Sequence, residues 1–338
     1  MSYIYLVADP AQFLLFLQFC FFGILQVHYN IEDFSAKNPI VTVGIFDGVH
    51  RGHKYIIREL IDIAEKKDGE PVVLTLWPHP RLILNHNTSG IRLITTLDEK
   101  IEILSDFNIK HLIIIDFTKD FSRMSSGEFI ERVLVDKIGI RHLVMGYNHK
   151  FGSDREGNTR QLSKYAERFN FTIEKLKPYK NGNMNISSSV IREALMRGEI
   201  DLANELLGHR FFISGKVIGG SRVGRSIGFP TANVKSGHRL KLIPGDGVYA
   251  VRVLIDGVWY PGMLNIGIRP TVNHNPEHKT IEVHVIDFDK DIYDQNIRID
   301  LMARIRDEMR FDSVDMLRLQ LIRDKENVLE LISKLEGK

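Results

Sequence analysis

The chain has 338 residues, with 45 Lys+Arg against 43 Asp+Glu for a net charge of +2, and it is 43% hydrophobic and 26% charged. That length predicts two domains with separate cores, and the near-neutral balance argues against bulk nucleic-acid or membrane binding. The single cysteine, Cys20, excludes an internal disulfide framework and a cysteine-based zinc site, and it fits a reducing, cytoplasmic setting.

Residues 1–38 read as an extension. Ala11 to Leu25 is nearly all apolar but shorter than a membrane span, and it lacks the basic flank and small-residue cleavage site of a signal peptide. A poorly ordered tail, a helix packed on the body or a partner, and a start assigned too far upstream all fit; we favour the last. Ordinary globular sequence begins near Val27.

The first strong element is Val41 to His53, V-T-V-G-I-F-D-G-V-H-R-G-H. Ile40, Val41, Val43 and Ile45 predict a buried strand. The chain turns at Gly44, Asp47 and Gly48. From Arg51, past Gly52, the helical spacing of Ile56, Ile57, Leu60, Ile61 and Ile63 predicts a helix. His50 and His53 stand three apart, so they share one face of a helical turn. Glycines and two imidazoles at a helix N-terminus suit phosphate: free N–H groups and the dipole attract the anion, and the rings can donate to growing charge. A tight strand–helix turn with two surface histidines would carry the same letters, and the glycine turn tips the reading to phosphate.

Further strands are predicted at Pro71 to Trp77, His111 to Phe117, His142 to Gly146 and Phe171 to Leu176. Helices are predicted at Asp98 to Leu104, Ser126 to Ile138 and Thr159 to Phe169. Ser125 or Ser126 is the expected N-cap of the second helix, with Glu128 near the capping-box position. Alternating apolar strands and helices predict a parallel sheet covered on both faces, with ligands beyond the carboxyl ends of its strands. Asp47 to His53, Pro78-His79-Pro80 and Gly146 to Gly157 fall at such ends. Ser187, Ser188 and Ser189 then precede a helical run, Val190 to Leu195, with Arg192 near its start. Serines cap helices well. An arginine near a positive helix end suggests an intervening anion, although a capped helix with a solvated arginine reads identically. A helix from Asp201 to Leu207 ends at Gly208.

From Phe211 the texture is β. Runs at Phe211 to Ile218, Gly247 to Ile255, Val258 to Ile266, Thr280 to Asp287 and Asn296 to Arg304 predict a small barrel, with Asp256-Gly257 as a hairpin turn. A helix from Ser313 to about Leu335 presents Val314, Leu317, Leu321, Val328, Leu331 and Ile332 as a core-facing stripe. The loop Gly219-Gly220, Arg222, Gly224, Arg225 leads into Gly228-Phe229-Pro230-Thr231-Ala232-Asn233. Glycines admit phosphate close to the backbone, and arginines pair with its oxygens. Thr231 and Asn233 offer the hard oxygens that Mg²⁺ takes beside nucleotide phosphates. A Gly-rich hairpin with scattered charge is the bland alternative. In I-E-V-H-V-I-D, alternation sets Glu282 and His284 on one face, toward either water or a ligand pocket. A carboxylate in such a pocket could take a hydroxyl proton.

These motifs together resemble the bifunctional riboflavin kinase/FMN adenylyltransferase family over about residues 39–335. G-I-F-D-G-V-H-R-G-H, P-H-P at 78–80, G-Y-N-H-K-F-G-S-D-R-E-G at 146–157 and I-S-S-S-V-I-R at 186–192 stand in the order of its adenylyltransferase blocks. G-F-P-T-A-N at 228–233, G-V-Y-A, N-I-G-I-R-P-T, E-V-H-V-I-D-F and R-F-D-S follow in the order of its kinase blocks. The resemblance implies a Rossmann-like nucleotidyltransferase sheet over 39–208 and a riboflavin-kinase β-barrel with a C-terminal helix over 209–338. It implies ATP as co-substrate, Mg²⁺, and riboflavin, FMN and FAD as substrates and products.

It also implies site residues. His50 and His53 would act on ATP phosphates. Gly44, Phe46, Asp47, Gly48, Gly52, Asn148, Ser188, Ser189 and Arg192 would complete the adenylyltransferase site. Gly220, Arg222, Gly228, Pro230, Thr231 and Asn233 would bind kinase nucleotide and flavin, and Glu282 would activate the ribityl hydroxyl. Three positions depart from the family's pattern. Ser189 replaces a common threonine, Asn148-His149 stands where an acidic or amide residue and an aromatic are usual, and Asp294 follows Tyr293 where glycine is frequent. An enzyme with one silent site and a flavin sensor without turnover are the competing readings. No nucleic-acid partner and no stable membrane association are expected, and association into a homo-oligomer is left open.

Overall fold

A computed structural model describes residues 25–32, 34–84, 91–147, 159–181, 184–219, 223–268 and 279–336. Two compact units result. One takes the described residues up to 46, those of 53–89 and those of 101–178; the other takes 47–52, 90–100 and those from 179 onward.

The first unit is a six-stranded, all-parallel sheet. Its strands are β1 (Gln26–His28), β2 (Ile40–Val43), β3 (Pro71–Trp77), β4 (His111–Asp116), β5 (His142–Met145) and β6 (Thr172–Lys175), in the order β1-β4-β3-β2-β5-β6. β2 and β5 are buried throughout, as strands covered on both faces must be. Helices α1 (Arg51–Lys66), α2 (Leu97–Ser105), α3 (Ser126–Val135) and α4 (Thr159–Phe169) interleave with them along the chain. Successive strands run to one side from β2 through β3 and β4, then resume on its other side with β5. The topological switch, where open parallel sheets hold their ligands, therefore lies beyond the carboxyl ends of β2 and β5.

The strand predictions hold to within two residues at each end. β1 is an addition: it pairs with β4 through Gln26↔His111, so chain from residue 26 onward belongs to the sheet. α3 begins with the expected capping box of Ser125 and Glu128 but continues from Phe129 to Val135 with π-type bonding, such as Asp136 N–H to the Glu131 carbonyl. No periodicity in the sequence announces that change. The remaining first-unit core gathers Val41, Leu74, Ile113, Ile130, Leu143 and Phe171.

The second unit holds a two-residue hairpin, β7 (Lys180–Asn181) and β8 (Met184–Asn185), helices α5 (Ser188–Arg197) and α6 (Ile200–Leu207), and a closed antiparallel barrel. The barrel strands are β9 (Phe212–Ile218), β10 (Ala232–Ser236), β11 (Gly247–Ile255), β12 (Val258–Ile268), β13 (Lys279–Val285) and β14 (Asn296–Arg306), in the order β10-β13-β12-β11-β14-β9. β10 is an addition to the expected strands. It closes the barrel by pairing with both β9 and β13. Inward residues such as Val217, Val251, Leu264 and Val283 form one core with Ile191, Leu195, Ala203 and Leu207 of α5 and α6. The C-terminal helix α7 (Val314–Glu336) sets Val328 and Ile332 against Ala250, Met263 and Met302 on the barrel's outer face. Val314, expected in that stripe, is 60% exposed. Asp256 and Gly257 have φ of 48° and 79°, the two left-handed residues of a type I′ hairpin.

Candidate active sites

The glycine-histidine turn leaves β2 through Gly44, whose N–H donates to the Leu74 carbonyl at 3.0 Å. Three residues then take left-handed backbone: Phe46 (φ 49°), Gly48 (φ 82°) and Val49 (φ 36°). Gly48 must be glycine, since a Cβ there would lie 2.9 Å from Ile94 Cγ2. A β-branched residue at positive φ is strained by roughly 1–3 kcal/mol. Val49 is fully buried and Phe46 is 2% exposed, so packing holds both in place.

Asp47 is the hub of the turn, buried at 3% exposure. Its Oδ1 accepts from Ile94 N–H at 3.0 Å and Thr95 N–H at 3.1 Å, and its Oδ2 pairs with Arg192 Nη2. Gly48 N–H donates to Thr95 Oγ1 at 3.1 Å. Ser188 Oγ donates to the Asp47 carbonyl at 3.0 Å, and Arg192 Nε to the Arg92 carbonyl at 2.8 Å. Arg192 is therefore not the solvated arginine of a plain capped helix: its guanidinium pairs with the Asp47 carboxylate. Ser187 is the N-cap of α5, accepting from Val190 N–H, while Ser189 is exposed.

His50 is buried, and desolvation drives its pKa down to about 4 against the raising influence of Asp47. It is therefore neutral at neutral pH and donates one N–H. A Cβ on Gly52 would come within 3.2 Å of the His50 ring, so glycine keeps room for that imidazole. His53 is half-buried, with its ring edge-on to Phe46 at 5.2 Å. His79 Nδ1 accepts from Arg81 N–H at 3.2 Å and its carbonyl from Leu82 N–H at 2.8 Å, which makes it the cap of the short helix Pro80–Leu84. Asn148 lies outside the described residues, as do Gly220 and Arg222.

In the barrel, Gly224 is required: a Cβ there would lie 2.2 Å from the Phe229 carbonyl oxygen. Gly228 has φ of 83°. Pro230 and Thr231 are exposed at the start of β10. Asn233 on β10, Glu282 on β13 and Asn265 on β12 are register partners in one cross-strand row. Glu282 and His284 share the outer face, opposite the inward Ile281, Val283 and Val285. His284 is buried at 8%, donates from Nδ1 to the Pro230 carbonyl at 2.8 Å, and meets the Phe229 ring edge-on at 5.1 Å. Burial lowers its pKa. A cavity of about 160 Å³ beside this turn is lined by Thr231, Arg225, Lys290, Tyr293, Phe288 and Val283. It joins cationic and hydroxyl groups to apolar walls, which suits a phosphorylated ligand with a flat apolar part.

Sequence reading missed the residues that hold these groups: Thr95, Glu99, Lys241 and the bond from His284 to the Pro230 carbonyl. One signal was present. Thr96 and Glu99 form a reciprocal capping box at the start of α2, and T-x-x-E is visible in the letters.

A glycine-histidine turn fixed by buried Asp47, and a closed barrel with the cross-strand row Asn233, Glu282 and Asn265, are the two candidate sites. Residues 33–190 match the family described as FAD synthetase, and residues 207–332 that described as riboflavin kinase. The chain is 36% identical over 303 residues to a bifunctional riboflavin kinase/FMN adenylyltransferase of Buchnera aphidicola subsp. Schizaphis graminum, covering 89% of this chain and 96% of that one. It is 36% identical over 298 residues to the Escherichia coli K12 protein of the same description, covering 88% and 94%. A crystal structure described as a macrolide-efflux protein from Streptococcus pneumoniae superposes with a TM-score of 0.81 at 31% identity, covering 90% and 98%. The chain belongs to the bifunctional riboflavin kinase/FMN adenylyltransferase family. Among the described residues no helix is long and apolar enough to cross a membrane.

Proposed function

We propose that the chain phosphorylates riboflavin with ATP to give FMN, and transfers AMP from a second ATP to FMN to give FAD and pyrophosphate, in the cytoplasm. Residues 209–338 carry the first reaction and 39–208 the second. The observation that carries the reading is the Asp47–Arg192 ion pair, which joins two motifs 145 residues apart around one anion-binding turn.

In adenylyl transfer, the N–H groups at the start of α1 and the neutral His50 donate to ATP phosphate oxygens. His53, three residues on, shares that role. Ser189, exposed at the start of α5, holds the far end of the triphosphate, together with the part of the Arg192 guanidinium left open beside its bonds to Asp47 and Arg92. Attack by an FMN phosphate oxygen on the α-phosphorus needs alignment and charge neutralisation rather than covalent help. In the kinase reaction, Glu282 takes the proton of the ribityl hydroxyl as that oxygen attacks the γ-phosphorus. Asn233 is the cross-strand partner of Glu282 and Thr231 stands two residues before Asn233, and their side-chain oxygens are hard donors of the kind Mg²⁺ takes. When bound there, the cation would neutralise phosphate charge. Arg225 and the Gly224–Gly228 turn meet the phosphates.

The test is a time course of the purified protein with riboflavin, ATP and Mg²⁺, resolved by chromatography. FMN followed by FAD is expected. FMN alone, with FMN supplied directly also giving no FAD, would defeat the adenylyltransferase assignment. Riboflavin bound without any product would point instead to a flavin sensor.

A further inference from the structure

The geometry points to Lys241, inside the segment that matches riboflavin kinase, as a positioning residue for adenylyl transfer. The inference rests on the reading above that His50 and Arg192 serve that reaction. Lys241 and Glu99 each have side chains only 1% exposed and pair at 2.5 Å. Lys241 Nζ also donates to the Ile94 carbonyl at 2.7 Å and lies 4.4 Å from the Phe211 ring centroid. The main chain adds two bonds at the same place: Leu93 N–H to the Leu240 carbonyl and Leu242 N–H to the Leu93 carbonyl, both 2.7 Å.

The Ile94 carbonyl that Lys241 grips belongs to the same peptide unit as the Thr95 N–H that donates to Asp47. That unit is planar and stiff. An ammonium on its oxygen fixes its plane and polarises its N–H toward the carboxylate. Asp47 in turn orients Arg192, and the Thr95 hydroxyl accepts from Gly48 N–H in the turn that carries His50. Every link from Lys241 to Arg192 is thus a hydrogen bond or a covalent bond. Glu99 completes the strap: its second oxygen accepts from Ser214 N–H on β9 at 3.1 Å. None of these groups stands in the row of Asn233, Asn265 and Glu282, so the network is aimed at one reaction.

The experiment measures both reactions on the same preparations of the full chain. Lys241→Met should lower kcat for FAD formation from FMN at least tenfold, with the KM for FMN within twofold and riboflavin phosphorylation within twofold. Phosphorylation is the folding control, because Lys241 adjoins the barrel. FAD formation within twofold of normal overturns the inference. If both reactions fall, the charge-free pair Lys241→Met/Glu99→Gln decides. Phosphorylation recovered with FAD formation still tenfold down supports the inference. Both recovered, or both lost, overturns it by making the pair a determinant of the fold alone. His50→Ala separates the two readings: FAD formation surviving that change defeats the assignment of the turn and the inference with it. Its loss beside a normal Lys241→Met defeats the inference alone.

Discussion

The two sites are held in opposite ways. The adenylyl-transfer turn hangs from buried side chains: Asp47, at 3% exposure, is gripped by Arg192 and two main-chain N–H groups, and His50 lies beside it out of water. The kinase row hangs from backbone. Asn233 and Glu282 face each other because β10 and β13 are paired in that register, and Thr231 beside them is exposed. A turn needs side chains to fix it, because its strained residues have no ladder to lean on. A barrel strand has the ladder already. The first site should therefore fail through stability, acidity and remote contacts, and the second mainly through loss of the reacting group itself.

The largest effect expected is in the second site. Glu282→Gln keeps the shape and removes the base, so kcat for FMN formation should fall by roughly 10²–10⁴ while riboflavin still binds and FAD still forms from FMN. Steady-state rates with a fluorescence titration of riboflavin check this; unchanged turnover would remove Glu282 as the base. Next comes Asp47→Ala. It leaves Arg192, 15% exposed, without its buried partner, and should cost about 3–5 kcal/mol in a denaturant melt. Thr231→Ala, on the exposed barrel turn, should cost within about 0.5 kcal/mol. Equal losses for the two would erase the contrast between the sites.

Acid gives the third test. His50 titrates at about 4 when folded, below its ordinary value near 6.5. The unfolded chain therefore takes up the proton first as pH falls. The stabilising contribution is complete above about 6.5 and declines down to about 4, by about 3 kcal/mol in total. His50→Gln should flatten the fall of stability through that window, read from melts at stepped pH. An unaltered slope would mean that His50 is not desolvated in the folded protein.

Much of this was legible in the letters where local pattern and tertiary need agree. Strands β2 to β6 of the parallel sheet, the Ser125–Glu128 cap and the Asp256-Gly257 turn follow from periodicity and turn chemistry. β10 was not legible, because A-N-V-K-S is short with little apolar alternation and its pairing is supplied by β9 and β13 from elsewhere in the chain. Asp294 stands where the family often has glycine, and with φ of 63° it takes the left-handed backbone a glycine would; aspartate is among the few residues that tolerate it. Arg192, expected to face a ligand anion at the start of its helix, pairs with an anion of the chain itself. That the anion is Asp47 depends on a contact across 145 residues, which no local spacing encodes. Lys241 reads as an ordinary charge between two leucines, and only its burial beside Glu99 reveals its work.

The smallest effect concerns His284, a buried side chain that ties the kinase turn to the barrel wall by a hydrogen bond. Its Nδ1–H holds the Pro230 carbonyl, one residue before Thr231. His284→Leu keeps the packing against Phe229 but frees that carbonyl. Because Pro230 is exposed, water can take the vacated place, so the loss should be about 1 kcal/mol of positioning. That corresponds to a fall in FMN formation of about tenfold or less, with FAD formation from FMN unchanged. Asparagine at 284 can still donate to the carbonyl and should recover part of the rate. A fall as large as that of Glu282→Gln would mean that the kinase turn, too, depends on a buried side chain rather than on strand register.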